Sequence, residues 1–408
     1  MRTRQVATLF AALAAAAAAT LTTATATHAE QTAGYIVVLR GDTDSPSIAT
    51  EHARTRGAAV DHVYRSSING YSARMSTTEA ARVAQDPRVA FVQRDQVVTA
   101  NVQTVPTGIN RVDAELSPTA GIDGVDQRVD VDVAVIDTGV DLDNPDLNVN
   151  TAGAINCSTG GSANDGNGHG THVAGTIGAL DNGDGVVGVA PGARIWPVRV
   201  LNNAGSGSFA SIVCGIDFVT AHADEIEVAN MSLGGVGTDD GNCGLSNGDA
   251  MHQAICRSVA AGVTYAVAAG NETDNAANHV PAAYDEVITV SALADFNGAP
   301  GGGGAATCRP DVDDTLADFS NFGADVDLIA PGVCILSTWN DGSFQTISGT
   351  SMASPHVAGG AALYKATHPG DSPAAVKSAL QGAGTLDWSW PTGDPDGIQE
   401  RLLNVSTL

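Results

Sequence analysis

The chain after residue 128 alternates strand-like runs with helix-like runs, and this alternation constrains the fold more than any other feature. Six short runs are almost entirely apolar and are bounded by turn residues: VDVAVID, ARIWPVRV, IEVANMSL, GVTYAVAA, EVITVSAL and VDLIAP. Such runs indicate strands buried on both faces of a parallel sheet. Four helical patterns alternate with them: THVAGTIGAL, FASIVCGIDFVTAHA, GDAMHQAICRSVAAG and SMASPHVAGGAALYKATH. Residues 102–408 are therefore predicted to form one α/β domain.

Residues 34–98 show the pattern of a small α+β unit. GYIVVLR, INGYSARM and AFVQRDQVV are predicted strands, and SIATEHARTRG and TTEAARVAQD are predicted helices. A fourth strand fits near Val60–Tyr64, which gives the ferredoxin-like split βαβ pattern. The segment TANVQTVPTG lacks periodicity and is interpreted as an exposed linker.

Residues 1–29 are interpreted as a secretory signal peptide. Arg2 and Arg4 precede an apolar run from Leu9 to Leu21, and small residues follow up to Ala29. The run is shorter than the roughly 20 residues of a spanning helix, and a permanent N-terminal anchor is the alternative. We find no later segment long and apolar enough to cross a membrane, so we expect a secreted, extracellular protein.

Six cysteines in an exported chain predict three disulfides, and no spacing resembles a CxxC zinc pair. Fifteen pairings are possible in principle. We favour the pairing of sequence neighbours: Cys243 with Cys256 and Cys308 with Cys334, which leaves Cys157 with Cys214.

The formal net charge is −26, and ten of the 19 lysine and arginine residues lie before residue 102. The body of the protein is therefore strongly acidic. This charge argues against nucleic acid as a partner and favours solubility and cation binding. A merely solvated surface is the alternative interpretation, and adaptation to high salt would fit as well.

Polar residues lie at the ends of three predicted strands. VDVAVID ends in Asp137, IEVANMSL runs into Ser232, and GVTYAVAA is followed by Gly270 and Asn271. Ligands of open α/β sheets bind beyond the carboxyl ends of the strands. One Asp-Thr-Gly alone is explained by a simple turn, but three such endings indicate a functional site.

Two histidines and one serine lie near predicted helix starts. His169 directly precedes a predicted helix between two glycines, and we expect it to be a general base. His169 and His172 could be a metal-binding pair, but HGTH lacks the HExxH register of such a site. His172 is therefore interpreted as a packed helical residue. Ser351 would lie at a helix N-terminus, where free N–H groups favour negative charge. It is interpreted as a nucleophile, with an N-cap serine as the alternative.

Together AVIDTGVD, GHGTHVAGTI, NMSLGG, AAGNE and SGTSMASPHVAG resemble the subtilisin-like serine proteases over nearly all of residues 102–408. The chain order Asp, His, Ser is that of subtilisin itself. The resemblance implies a three-layer α/β fold with a mostly parallel seven-stranded sheet. It also implies a secreted, monomeric endopeptidase that hydrolyses peptide bonds of extended protein substrates.

The resemblance implies roles for four catalytic residues. Ser351 is the nucleophile that forms the acyl-enzyme, and His169 is the base that takes its proton. Asp137 orients the imidazole and stabilises the imidazolium. Asn271 matches the oxyanion-hole amide, which acts with the backbone N–H of Ser351.

The resemblance also implies how a peptide substrate is held. Two strand edges would pair with its main chain: Ser232, Leu233 and Gly234 on one side, and Gly205, Ser206 and Gly207 on the other. Glu272 would lie near the pocket for the side chain before the cleaved bond. Its charge could admit basic residues, although we expect a large apolar or a broad preference.

A structural Ca²⁺ site follows from the same resemblance. Its ligands would be the side chains of Gln103, Asp146 and Asn182 and the carbonyl groups of Leu180, Asp184 and Val186. A set of oxygen ligands suits Ca²⁺. Because Gln103 follows the processing region, this site would hold the new N-terminus after cleavage.

Residues 30–101 resemble the propeptide that assists the folding of these proteases and then inhibits them. Its last strand would carry residues 95–101 into the cleft, and we place the cut between Thr99 and Gln103. The protein would thus be a self-processing zymogen whose own propeptide is an intramolecular inhibitor. A permanent accessory domain is the alternative.

Two other functions compete with the protease. The first is a catalytically inactive, calcium-dependent binding protein on the same scaffold, which the intact set of four catalytic residues disfavours. The second is an oxidoreductase that would use GDGVVG, residues 183–188, which spells GxGxxG. The dinucleotide motif needs a strand before it and a helix after it, and this context is reversed, so we reject it.

Overall fold

A computed structural model describes residues 32–41, 43–95 and 103–408. The chain divides into two units, Met1–Ala100 and Asn101–Leu408. The predicted signal peptide and the predicted cleavage bond lie outside the described residues. Among the described residues, we find no helix with both the length and the apolar character needed to cross a bilayer.

The first unit is the predicted ferredoxin-like α+β unit, including its fourth strand. Its elements are β1 (Thr32–Leu39), α1 (Ser45–Arg56), β2 (Ala59–Tyr64), β3 (Gly70–Ser76), α2 (Thr77–Ala84) and β4 (Val89–Arg94). The antiparallel sheet has the order β2-β3-β1-β4. Ser76 starts α2 with a capping box, because its hydroxyl accepts from the Glu79 N–H and the Glu79 carboxylate accepts from the Ser76 N–H.

The second unit contains the remaining elements. Its strands are β5 (Asp132–Asp137), β6 (Ile155–Asn156), β7 (Arg194–Arg199), β8 (Val228–Met231), β9 (Gly235–Val236), β10 (Thr264–Ala268), β11 (His279–Val280), β12 (Ile288–Ala294), β13 (Thr315–Leu316), β14 (Leu328–Pro331), β15 (Ile335–Thr338), β16 (Phe344–Ile347) and β17 (Arg401–Leu402). Its α-helices are α3 (Thr107–Arg111), α4 (His169–Gly178), α5 (Phe209–Ala221), α6 (Ala250–Ala260), α7 (Thr350–Thr367) and α8 (Pro373–Ala383).

The main sheet has the order β17-β14-β12-β10-β8-β5-β7-β6, and β13 pairs with β12 as the ninth strand. All of these pairings are parallel except that of β13 with β12. The six predicted strands are confirmed as β5, β7, β8, β10, β12 and β14. The sheet has nine strands instead of the expected seven, because β6, β13 and β17, of two residues each, join the six predicted strands. Such short pairings leave no hydrophobic pattern in a sequence.

Helices cover both faces of this sheet, which confirms the three-layer fold. In β5, Val133 and Val135 belong to the core that α4, α7 and α8 close. The alternate residues Ala134 and Ile136 belong to the core that α5 and α6 close. All six residues of β5 are buried, which explains its unbroken apolar run.

Helix α8 was not predicted, although its start has a sequence signal. Ser372 precedes Pro373, and the Ser372 hydroxyl accepts a hydrogen bond from the backbone N–H of Ala375 at 3.3 Å. Lys377 ties this helix to the sheet, because its ammonium lies 2.8 Å from Asp327 Oδ2 and donates to the Val287 carbonyl at 2.8 Å.

The six cysteines lie within bonding distance in three pairs. The S–S separations are 1.98 Å for Cys157–Cys214, 2.17 Å for Cys243–Cys256 and 2.00 Å for Cys308–Cys334. These are the pairs of sequence neighbours that we favour.

Glu400 predicts a pH-dependent stability. It is 5% exposed, and among the described residues neither carboxylate oxygen has a hydrogen-bond partner. Burial raises its pKa to about 8, and the charges of Asp394 and Asp396 add to this. The folded protein therefore holds a proton that the unfolded chain releases near its ordinary pKa of 4.5. The free energy of unfolding should fall between these two pH values, by on the order of 4 kcal/mol, and level off above pH 8.

Melting temperatures measured from pH 5 to pH 9 check this, in a Ser351→Ala background that removes the predicted nucleophile. Glu400→Gln should flatten the fall and make the variant the more stable protein at pH 9. The control variant Glu225→Gln changes an exposed glutamate and should keep the decrease in stability between pH 5 and pH 8. Parallel curves for Glu400→Gln and its parent would contradict the prediction.

Candidate active site

Asp137 and His169 form the centre of the site. Asp137 is the last residue of β5 and is fully buried, and its Oδ1 lies 2.7 Å from His169 Nδ1. The same oxygen accepts from the Thr138 N–H at 2.7 Å. The other oxygen, Oδ2, is buried and has no hydrogen-bond partner among the described residues. The carboxylate therefore depends on His169 for its main polar contact.

The pKa of His169 results from two opposing causes. Burial lowers it, the charge of Asp137 and the hydrogen bond to Asp137 raise it, and the net shift is upward. Because Nδ1–H donates to the carboxylate, the neutral ring carries its lone pair on Nε2. This is the tautomer that a general base requires.

Helix α4 begins at His169 itself, two residues earlier than predicted. Gly168, with φ of 110°, lets the chain turn directly into the helix. The buried carboxylate of Asp165 accepts from the Gly168 N–H at 2.9 Å and from the Thr171 N–H at 3.0 Å. Asp165 therefore satisfies N–H groups at the helix start, which a sequence pattern alone did not reveal.

Asp165 also joins the helix to the strand that carries Asp137. Its Oδ1 accepts from the Thr138 hydroxyl at 2.9 Å, and the oxygen of that hydroxyl accepts from the Gly170 N–H at 2.9 Å. The sequence reading missed both Asp165 and the role of Thr138. An aspartate a few residues before a helix, in NDGNGHG, was the available signal.

Ser351 lies in the first turn of α7. Its hydroxyl donates to the Ser232 carbonyl at 3.3 Å and, within the described part of the chain, makes no hydrogen bond to His169. Catalytic contacts of this kind are often long or misaligned and tighten in the substrate complex.

A buried polar network holds α7 against the end of β8. The Ser232 hydroxyl donates to the Ser351 carbonyl at 2.8 Å and lies 2.9 Å from the Ser354 hydroxyl. Asn230 bonds to both Ser232 and Ser354, at 2.9 and 3.0 Å. The side chain of Ser232 thus faces the protein interior. Asn230 was missed by the sequence reading, although a polar residue within an apolar strand was visible.

Asn271 is held by Thr350. Its side-chain oxygen accepts from the Thr350 N–H at 2.8 Å and from the Thr350 hydroxyl at 3.1 Å. The amide NH₂ is then free to donate elsewhere. A Cβ on Gly349 would lie 3.6 Å from the Ser351 nitrogen and 3.8 Å from Asn271 Nδ2. The two donors therefore border the same small space, as an oxyanion hole requires.

Two adjacent cavities are lined by the predicted substrate-binding residues. One, of about 290 Å³, is lined by Asn271 and Ser351 together with Leu233, Gly234 and Glu272. The other, of about 420 Å³, is lined by His169 together with Gly205, Ser206, Gly207, Ser232, Leu233 and Gly234. Leu233 and Gly234 border both, so the cavities form one cleft across the catalytic residues.

The first cavity contains a histidine that the sequence reading missed. His279 lines it, and His279 Nδ1 lies 3.7 Å from Glu272 Oε2. The same Glu272 oxygen accepts from the Asn271 N–H at 2.8 Å and from Asn321 Nδ2 at 3.0 Å. The carboxylate is therefore already bonded to protein donors.

All six predicted calcium ligands take part in hydrogen bonds with one another, and the Asp184 N–H donates to Asn182 Oδ1 at 2.8 Å. Gln103 Nε2 donates to the Leu180 carbonyl at 2.7 Å and to the Val186 carbonyl at 3.3 Å. Asn182 Nδ2 donates to Asp146 Oδ1 at 3.4 Å. Burial raises the pKa of Asp146 to about 6, since no cation is paired with this carboxylate among the described residues. Asp184 lies on the same loop and is exposed.

His172 is not part of the catalytic group. It is fully buried in α4, and its Nε2 lies 2.9 Å from the Ile335 carbonyl. Burial lowers its pKa to about 3, so the ring is neutral. Its interpretation as a packed helical residue is confirmed.

Comparison with known proteins gives one consistent family. The model of the subtilase family matches residues 129–387, and that of peptidase inhibitor I9 matches residues 34–101. The extracellular serine proteinase of Thermus sp. (strain Rt41A) is 41% identical over 330 residues, which cover 79% of this chain and 73% of that protein. Subtilisin E of Bacillus subtilis (strain 168) is 36% identical over 321 residues, which cover 78% and 76%.

A solved structure supports the same assignment. A cold adapted subtilisin-like serine proteinase superposes with a TM-score of 0.56 at 32% identity, covering 74% of this chain and 98% of that one. The matches include the strands and helices that carry Asp137, His169 and Ser351. The chain therefore belongs to the subtilase family and is a subtilisin-like serine protease that carries a peptidase inhibitor I9 domain.

Proposed function

We propose that the protein is a secreted, self-processing zymogen that cleaves extended protein substrates through an acyl-enzyme on Ser351. The observation that carries this proposal is the 2.7 Å contact between buried Asp137 and His169, in the cleft that Ser351 also lines. A catalytically inactive binding protein would have no use for such a buried, paired carboxylate at this position.

Each residue has a definite part in the reaction. The substrate main chain would lie between residues 205–207 and 232–234, and the Ser351 hydroxyl would attack the carbonyl carbon as His169 Nε2 takes its proton. Asp137 would stabilise the imidazolium. Asn271 Nδ2 and the Ser351 N–H would bind the oxyanion. His169 would then protonate the leaving amine, and water would hydrolyse the acyl-enzyme.

We expect the side chain before the cleaved bond to be large and apolar, or its choice to be broad. The cavity beside Ser351 has walls from Leu233, Ala268, Ala269 and Val280. Glu272 contributes little selectivity for cations, because its carboxylate accepts hydrogen bonds from Asn271 and Asn321. A basic substrate side chain would have to compete with these donors.

The zymogen part of the proposal rests on the I9 match over residues 34–101 and on the order of the two units in the chain. The first unit would inhibit the second until a peptide bond within the segment from Thr99 to Gln103 is cut. Secretion is supported by the signal-like sequence of residues 1–29 and by a relative that is described as extracellular.

We also propose a structural Ca²⁺ site. The buried carboxylate of Asp146 and the carbonyl groups of Leu180 and Val186 provide oxygen donors in one region, which fits a hard cation. Gln103 and Asn182 reach these groups through their amide NH₂, so each amide would have to turn its oxygen toward the ion. The carbonyl of Asp184 would complete the set. Bound Ca²⁺ supplies charge that balances Asp146 and ties the chain at Gln103 to the loop at residues 180–186.

Labelling with a fluorophosphonate tests the nucleophile. The mature protein should be labelled at Ser351. His169→Ala, freed of its propeptide in trans by wild-type protein, should lose the label because no base activates the hydroxyl. The exposed histidine variant His368→Ala should label normally. Mass spectrometry of the digested adduct locates the label, and folded wild-type protein without label at Ser351 would overturn the proposal.

The pH dependence of the base tests the role of Asp137. Asp137→Asn removes the charge that raises the pKa of His169, so this pKa should fall. The plateau of kcat should fall by about 10⁴. NMR titration of His169 in the Ser351→Ala background measures the pKa, with exposed Asp224→Asn as the control. A pKa of His169 that stays unchanged in Asp137→Asn would contradict the assignment.

Calcium removal tests the metal site. Excess Ca²⁺ should raise the melting temperature of Ser351→Ala protein. At a free Ca²⁺ concentration of 100 times Kd, the free energy of unfolding should increase by about 3 kcal/mol. Asp146→Asn should lose most of this response, whereas the exposed variant Asp143→Asn should keep it. Equal responses of Asp146→Asn and its parent would place the Ca²⁺ elsewhere.

A further inference from the structure

The loop between β9 and α6 holds an acidic cluster around a buried histidine. Asp239 and Asp240 lie in this loop, and His252 lies in the first turn of α6. The disulfide Cys243–Cys256 ties the same loop to the same helix. Among the described residues, none of these is in the lining of the two active-site cavities.

His252 has one nitrogen paired and one nitrogen without a partner. Its side chain is fully buried, and Nε2 lies 2.8 Å from Glu286 Oε2. Nδ1 is buried and has no hydrogen-bond partner among the described residues. It lies 3.6 Å from Asp239 Oδ1 and 3.6 Å from Asp240 Oδ1. The ring is fixed in this position because Tyr284 stacks on it at 4.0 Å.

The contact with Glu286 decides which nitrogen of the neutral ring carries the proton. A carboxylate only accepts, so Nε2 must donate and Nδ1 then presents a lone pair. That lone pair faces two carboxylate oxygens, an arrangement that is repulsive without a cation between them. A histidine that donates its other N–H to a carboxylate is the usual arrangement around a metal-ligating imidazole.

The spacing of the three atoms also fits a metal. A separation of 3.6 Å is too long for a good hydrogen bond. Ligands at about 2.0–2.1 Å from a tetrahedral Zn²⁺ lie roughly 3.3–3.4 Å apart, close to the separations seen here. All three ligand atoms lie within 4.8 Å of one another.

The charges point the same way. Asp239, Asp240 and Glu286 have no lysine or arginine partner among the described residues. A proton on His252 would leave two of their three negative charges unbalanced, whereas a divalent ion would leave one. Backbone N–H groups of Asn242, Gly244, Ser246 and Asn247 already hold the Asp240 carboxylate in place.

We propose that Asp239, Asp240 and His252 bind a divalent transition-metal ion such as Zn²⁺. One imidazole nitrogen and two carboxylate oxygens suit a borderline ion better than Ca²⁺ or Mg²⁺, which prefer oxygen alone. Cys243 and Cys256 are not ligands, because they are joined to each other. Water completes the coordination, and Glu286 orients the histidine. The ion links the loop to α6 as a structural element, and its ligands are absent from the linings of the two active-site cavities.

Zinc titration of the full chain tests the site. The protein carries Ser351→Ala, is freed of metals with a chelator and is then saturated with Ca²⁺ so that only other sites remain. Isothermal calorimetry with Zn²⁺ should show one site that Asp239→Asn weakens at least tenfold. The matched control is Asp274→Asn, which removes the carboxylate of a different Asp–His pair and should leave this site unchanged.

A second variant guards against misfolding. If Asp239→Asn lowers the melting temperature of the metal-free protein, Glu286→Gln replaces it, since loss of the orienting carboxylate should weaken binding about 10–100-fold. Zn²⁺ should also raise the melting temperature of the parent more than that of either variant. Equal Zn²⁺ affinity and equal thermal shift in parent and folded variant would overturn the proposal.

Discussion

The buried contact between Asp137 and His169 is the interaction on which the site depends. A carboxylate with no exposed surface is costly unless it is paired, and His169 Nδ1 at 2.7 Å provides that pair. The contact fixes the tautomer of the ring and raises its pKa against the effect of burial. Strand β5 lies inside a parallel sheet, which holds the end of the strand rigidly. Asp137 at this end contacts His169, the first residue of α4. The chemistry of His169 is therefore a property of the packed fold.

Two polar networks convert this fold into fixed positions for the catalytic groups. Asp165 joins the end of β5 to the start of α4 through Thr138. Asn230, Ser232 and Ser354 join the end of β8 to α7. Both networks lie where strands end and helices begin, the edge at which open α/β sheets bind ligands. Buried polar networks of this kind specify one geometry only when their members are satisfied.

Three of the few basic residues of the second unit serve internal structure. Arg111 and Arg199 are buried, and Lys377 joins α8 to Asp327 and to backbone carbonyl groups. With its cations used in this way, an acidic protein leaves other buried carboxylates, such as Asp146, without a basic partner. Bound metal ions are one way to balance such charge. Both proposed metal sites, at Asp239 and Asp240 and at Asp146, contain carboxylates without a lysine or arginine partner among the described residues. Glu400 shows the other way, since it keeps its proton until about pH 8.

The sequence by itself determined the class of fold, the six long strands and the identity of the residues that surround the cleft. It could do so because burial on both faces forces continuous apolar runs, and because the cleft residues lie in motifs that resemble those of a known family. Only the tertiary structure decided the contacts of Asp165, Asn230, Ser354 and His279, and the position of Asp239 and Asp240 around His252. Some of these contacts join segments that are distant in the chain, such as Asn230 with Ser354, and a polar residue carries no local signal of the partner that packing brings to it.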